Sequence, residues 1–210
     1  MVLISTSRRV ILHQPLFCFF QELCILPKKL PRNMNDFLKG VAHFVNQVNE
    51  TVGRGVSWLT VVLVLLVCFD VTARYFFSAS QVWMMELEGH LFSLIFLLGA
   101  GFALKHDRHV RVDLFYANFS EKDKAWTDLV GSVVFLIPWC VLIIYFSYQY
   151  AYASFLDGEG SANPGGLPAR YLMKFAIVIG MSLLLLQAIG KVAENLCVIL
   201  SEAEESDETV

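Results

Sequence analysis

Charge is scarce in this sequence. Only 17% of its 210 residues are Asp, Glu, Lys or Arg, against about 25% in an average soluble domain. With 56% hydrophobic residues and a mean hydropathy of +0.57, this scarcity argues against a soluble fold. No basic excess exists either: 16 Lys and Arg face 19 Asp and Glu, for a net charge of -3. A phosphate backbone therefore finds no charged track to bind, and nucleic acid is excluded as a partner. The five cysteines, Cys18, Cys24, Cys68, Cys140 and Cys197, form no CxxC and no metal-ligand spacing. Three of them sit in apolar runs, where a thiol behaves as a small hydrophobe, so neither a disulfide framework nor a zinc site is expected. P-loop, nucleophile elbow and GxGxxG are all missing, which leaves ATP hydrolysis and acyl transfer without residues to perform them. The chain reads as neither an enzyme nor a cofactor carrier.

What the sequence has in abundance is long apolar runs. A bilayer core about 30 Å thick requires roughly 20 mostly apolar helical residues, because a shorter helix leaves unpaired backbone in lipid. Four stretches meet that requirement, at about 56–77, 82–104, 128–155 and 171–192. Charges fall near the ends of these runs: Asp70 and Arg74 in the first, Glu86 and Glu88 in the second, Lys174 and Lys191 flanking the fourth. The third carries none between Asp128 and Asp157. The fold class is all-α, with four transmembrane helices.

Basic residues set the orientation. The segment between spans two and three holds Lys105, Arg108, Arg111, Lys122 and Lys124, and the stretch before span one holds Lys28, Lys29, Arg32, Lys39 and Arg54, whereas the turn from Ser78 to Gln81 has none. Both termini are therefore expected in the cytoplasm. The connection LDGEGSANPGGLPAR, rich in Gly and Pro, is expected on the outer face as an ordered, non-helical loop. Aromatic residues at that level, Tyr75, Phe76, Phe77, Trp83, Tyr148, Tyr150, Tyr152 and Phe155, make an interfacial belt.

Residues 1–33 imitate a signal peptide, but His13, Gln14, Pro15 and Glu22 interrupt the apolar part and no A-x-A site follows. The stretch is read as an extension without structure ahead of a start at Met34. From an N-cap at Asn35 or Asp36, the residues Phe37, Leu38, Val41, Phe44, Val45, Val48 and Val52 recur at helical spacing. They predict an amphipathic helix lying flat on the cytoplasmic interface. The acidic end, 201–210, is expected to be solvated and without structure.

Asp70 and Arg74 are four residues apart on one helical face and near the outer end of span one, so they can neutralise each other where burial costs least. Anchoring of the bundle or contact with a partner helix suits them better than an ion pathway. Glu86 follows Trp83 by one turn and is read as a contact residue at the outer surface, and Glu88 is left without a role. His90 stands without a second histidine at matching depth, which argues against a bis-histidine haem. His106, Asp107 and His109 lack a fourth ligand and read as solvated. The surrounding segment, which mixes charge with Val110, Val112, Leu114 and Phe115, reads as a piece pressed on headgroups. Ser120 and Asp123 form a capping box for the third helix.

The set Arg74-Tyr75-Phe76, Trp83-x-x-Glu86, Leu98-Gly99-Ala100 and His109-Val110-Arg111-Val112-Asp113 resembles the ordered signature of the small membrane subunit (DctQ-like) of tripartite ATP-independent periplasmic, or TRAP, transporters. The resemblance covers about 36–196, including Gly166-Leu167-Pro168-Ala169-Arg170-Tyr171 before span four. It departs at Met85, where the family usually has an acid. It implies an inner-membrane protein working with a large membrane subunit of about twelve spans and a periplasmic solute-binding protein, in sodium-driven uptake of organic acids. It further implies that the small subunit is a fixed scaffold beside an elevator-like transport domain. Arg74, Trp83, Glu86, His109, Arg111 and Asp113 are then the candidates for subunit contact. A self-assembling channel and a membrane redox subunit are the competing readings, the first needing a polar lumen around Asp70 and Arg74, the second a use for His90 and Cys140.

Overall fold

The computed structural model describes residues 32–77, 81–106 and 121–208. Five helices account for nearly all of them, and no strand occurs among the described residues. They are α1 (Arg32–Phe77), α2 (Val82–Lys105), α3 (Glu121–Gly131), α4 (Ile137–Leu156) and α5 (Tyr171–Glu208). A five-residue π turn, Ser132–Leu136, joins α3 to α4 into one rod. Its cause is Pro138: with no N–H to offer and a ring that crowds the preceding carbonyls, it widens the ladder, and the Ile137 N–H reaches back to the Ser132 carbonyl.

Four rods are long and apolar enough to cross a membrane: Phe37–Phe77, Val82–Lys105, Asp123–Leu156 and Tyr171–Leu200. The four-span expectation is met. The usual soluble pattern is also inverted, as bilayer solvation requires: Leu65, Phe69, Phe96, Phe135 and Trp139 are each 60% exposed or more. The interior is built instead from small residues such as Ala42, Ala151, Ala188 and Ala193. Small side chains let helix backbones approach closely, which is the main source of helix association when lipid is as apolar as leucine. At Gly180 an added Cβ would come within 2.8 Å of the Leu97 carbonyl oxygen, and at Gly190 within 2.9 Å of Val45. Through such contacts α5 packs against every other helix, with α1 and α2 against one another on one side of it and the α3–α4 rod on the other.

The expected flat surface helix is not a separate element. α1 runs unbroken for 46 residues, roughly 69 Å at 1.5 Å per residue, more than twice the hydrocarbon thickness. It also starts at Arg32, ahead of the Asn35 or Asp36 cap that the sequence suggested. Its buried seam, Ala42, Val45, Asn49, Gly53, Val56 and Asp70, stays on one face across the position where a break was expected. Gly53 is a close-approach residue, since a Cβ there would lie 2.2 Å from the Phe102 ring. Of the proposed lipid stripe, Val45 is buried against α5, whereas Phe37 and Phe44 are about two-thirds exposed. The acidic tail differs from expectation as well: α5 continues to Glu208, in line with the helix propensity of its Ala and Glu residues. Beyond the expected end of span four, Ala125 and Leu129 of α3 pack on Ile199.

Candidate functional site: polar contacts at the two ends of the bundle

The end carrying the loop between α4 and α5 is called outer here, following the charge distribution. That loop, residues 157–170, has no regular structure and is held by turns within it and by bonds to the helices. Gly158 and Gly165 take positive φ of 59° and 77°, and Ala169 takes 64°, a conformation that only glycine adopts freely. Internal bonds close it: the Ser161 N–H donates to the Leu167 carbonyl at 3.1 Å, and the Arg170 N–H to the Glu159 carbonyl at 3.0 Å.

Two carboxylates fasten the loop to the helices. Glu86, in the second turn of α2, accepts from the Ser161 hydroxyl, from the Asn163 amide at 3.0 Å and from the Leu167 N–H at 2.7 Å. Gly166 lies directly beneath, where a Cβ would meet the Ser161 hydroxyl at 2.3 Å and the Glu86 carboxylate at 2.6 Å. Glu159 accepts from the Ser154 hydroxyl at 2.6 Å and pairs with Lys174, whose ammonium lies 3.8 Å from the centre of the Tyr150 ring. The Lys174 hydrogen bond foremost, and the Ser154 hydroxyl after it, hold the Glu159 carboxyl below the usual carboxylate range.

Arg74 and Asp70 pair as their spacing predicts, at 2.5 Å, with the Asp70 side chain 4% exposed and Arg74 45%. They line a cleft of about 670 Å³ between α1 and α2 together with Met85 and Glu88. Of the two acids of α2, Glu86 was read from sequence as a contact residue and Glu88 was left without a role. The Glu86 carboxylate faces inward to the loop of its own chain, and Glu88 accompanies Arg74. One Glu88 carboxylate oxygen is buried without a hydrogen-bond partner. Trp83 is 37% exposed, and its indole N–H donates to the Gln81 side chain. His109, Arg111 and Asp113 lie outside the described residues, as do Asp107 and Ser120 of the readings above.

The inner end holds a polar seam that sequence reasoning missed. Gln187 of α5, fully buried, donates to the Asn46 side-chain oxygen at 2.8 Å, and the Asn46 amide donates to Glu194 at 2.6 Å. Asn49, also fully buried, rests against Gly101, where a Cβ would come within 2.3 Å of its amide oxygen. Glu50 gathers Lys105 at 2.6 Å, His106 at 3.2 Å and Arg54 at 3.4 Å, tying α1 to the end of α2. The available signal was Gln187 itself, an amide interrupting a run of leucines, in register with asparagines at a helical spacing on α1.

Among the described residues no group of three His, Cys, Asp or Glu is arranged to hold a metal ion. The polar groups fasten helix to helix and helix to loop. A multi-pass helical membrane protein with its polar residues used in this way belongs to the class of integral membrane components. Its family is specific: residues 63–198, more than half of the chain, match the tripartite ATP-independent periplasmic transporters, DctQ component, and the chain belongs to that family. It is a small membrane component of a TRAP transporter. No curated protein matches the chain.

Proposed function

We propose that this chain is a non-catalytic scaffold, the small permease subunit that holds a large membrane subunit in place during sodium-driven uptake of an organic acid delivered by a periplasmic binding protein. The observation that carries this reading is the division of surfaces. Large apolar side chains face outward along the spans while most polar groups bond within the chain. A wide, rigid, greasy bundle broadens the footprint of a partner and resists tilting when another domain slides across the bilayer. The placement is the cell inner membrane with both termini cytoplasmic, which puts the segment beyond Leu104, with its basic residues, on the positive side. In this orientation the Asp70–Arg74–Glu88 cleft is the polar register point for the partner, joined at the outer rim by Trp83. His109, Arg111 and Asp113 are proposed as inner contacts with the same subunit.

Co-purification tests the assignment. Arg74→Ala, which leaves two acids in one cleft, is expected to lower recovery of the large subunit and, in parallel, sodium-dependent uptake in proteoliposomes. Unchanged recovery and uptake would show that the partner does not read this cleft. Solute accumulation by vesicles holding this chain alone would replace the scaffold with a self-sufficient transporter.

A further inference from the structure

The cleft between α1 and α2 holds one carboxylate too many. Among the described residues that line it, the charged ones are Asp70, Arg74 and Glu88, so two acids face one base and the cleft carries one negative charge in excess. Arg74 is committed to Asp70. One Glu88 carboxylate oxygen is buried with no hydrogen-bond partner. The other basic groups of the outer end do not reach it, because His90, Arg170 and Lys174 line a different cleft, toward α4 and α5. An acid left bare in this way at membrane depth is costly and calls for a counter-charge.

Depth and exposure narrow the source of that charge. Asp70 lies seven residues before the end of α1 at Phe77, and Glu88 six residues inside α2 from Val82, roughly 10 Å and 9 Å below the aromatic belt at those helix ends. The mouth of the cleft faces sideways, since its apolar lining residues Val67, Val71 and Phe92 are exposed at span level. An occupant therefore arrives laterally, from within the bilayer. A water-borne cation would have to leave water to reach Glu88. A lipid amine stays at headgroup level beside its own phosphate. A long basic side chain on a neighbouring helix meets both conditions, with an apolar stem for the walls and a charged head for the acid.

We propose that the cleft receives a lysine or arginine side chain from a membrane helix of the large subunit, and that this cation pairs with Glu88. The inference rests on the scaffold reading above and adds to it the chemistry of the contact. Arg74 has a defined part in it: by neutralising Asp70 it leaves Glu88 as the single acid open to the partner, so the cleft accepts one cation and fixes one register.

The test is recovery of the large subunit on this chain from solubilised membranes. Glu88→Gln is expected to lower recovery at least about tenfold, because the partner's cation is then buried without a counter-charge; Glu88→Asp should keep part of the parental recovery. The isolated Glu88→Gln chain should melt in detergent within a few degrees of the parent, since the buried oxygen has no bond in the chain to lose. Glu88→Lys should abolish recovery, and replacement of one lysine or arginine by glutamate in the outer half of a large-subunit span should restore it. Parental recovery with Glu88→Gln would mean that the carboxyl carries a proton or is served by lipid, and overturns the proposal. So does the lack of any glutamate replacement that rescues Glu88→Lys, or a dimer of this chain that Glu88→Gln splits, which would put a second copy in the cleft. Unchanged recovery with Arg74→Ala removes the whole cleft from subunit contact, whereas a loss with Arg74→Ala beside parental recovery with Glu88→Gln overturns the cationic partner alone.

Discussion

The two ends of the bundle are held by different physics. At the outer end a loop of 14 positions, 157–170, is fixed by short-range turns and two carboxylates, with contacts made to neighbours within a few ångströms of the chain's own path. At the inner end the joint among the described residues is made by helices. Two very long helices, α1 and α5, run past the expected membrane boundary and are joined by buried amides and by glycines at which they touch. The outer end is rigid because of its sequence of turns, the inner end because of helix length. The family match begins at residue 63, so the first 31 residues of α1, which include Asn46 and Asn49, fall outside it.

The largest effect is expected where the inner joint is overpacked. Gly190→Leu forces a side chain into Val45, which already lies within contact of an added Cβ. Overpacking of this kind costs about 1–3 kcal/mol, and the apparent melting temperature in detergent should fall by several degrees. If the inner end is a separate module, amide exchange in the loop 157–170 stays at the parental rate. Faster exchange in both places would mean that the ends are one cooperative unit. The reciprocal experiment is Gly166→Ala, whose methyl would displace the Ser161 hydroxyl and the Glu86 carboxylate. It is expected to destabilise the loop by about 1–2 kcal/mol, read as faster exchange at the Leu167 amide and easier proteolysis near Asn163, with the inner seam unchanged.

Which features were legible in the sequence follows the same division. The four spans were readable because their signal is local: an apolar run either spans about 30 Å or does not. The Asp70–Arg74 pair was readable because four residues along a helix is a fixed geometry. The partners of Glu86 within the chain, Ser161, Asn163 and Leu167, were not legible because they lie 75 to 81 residues away, and no spacing rule brings an acid of one span to a loop between two others. α1 was divided because Asn46, Asn49, Gly53 and Arg54 look like the polar face and break of a surface helix. In the fold the two asparagines and Gly53 turn toward α5 and α2, while Arg54 pairs with Glu50. Those residues acquire an interior only when α5 lies beside them, and the length of α5 beyond span four was itself unread.

Gln187→Leu gives a smaller, more diagnostic change at the inner end. The substitution keeps the volume and removes the hydrogen bond to Asn46. It also removes an amide whose oxygen is buried without a partner. Loss of the first costs about 1 kcal/mol and relief of the second recovers a similar amount, so stability measured by thermal unfolding should stay within about 1 kcal/mol of the parent. A much larger loss would make the amide seam, rather than the glycine contacts, the main joint between α1 and α5.

The smallest effect is expected from acid at the outer end. The Glu159 carboxyl is held below its ordinary value of 4.5 by Lys174 and Ser154. A depressed folded value means that the ionised group favours the folded loop. The contribution is complete above pH 4.5 and disappears as pH falls through the lower folded value. Because the Glu159 side chain is 39% exposed, solvent screens much of the interaction, and the loss should appear as a shallow slope in loop stability rather than as a transition. Glu159→Gln removes the titrating group and should flatten that slope while leaving the inner end untouched. Exchange rates at the Ser161 and Arg170 amides, followed from pH 6 down to pH 3 in parent and variant after correction for intrinsic rates, measure it directly. A slope that persists in Glu159→Gln would move the acid sensitivity of the loop to its other strap, Glu86.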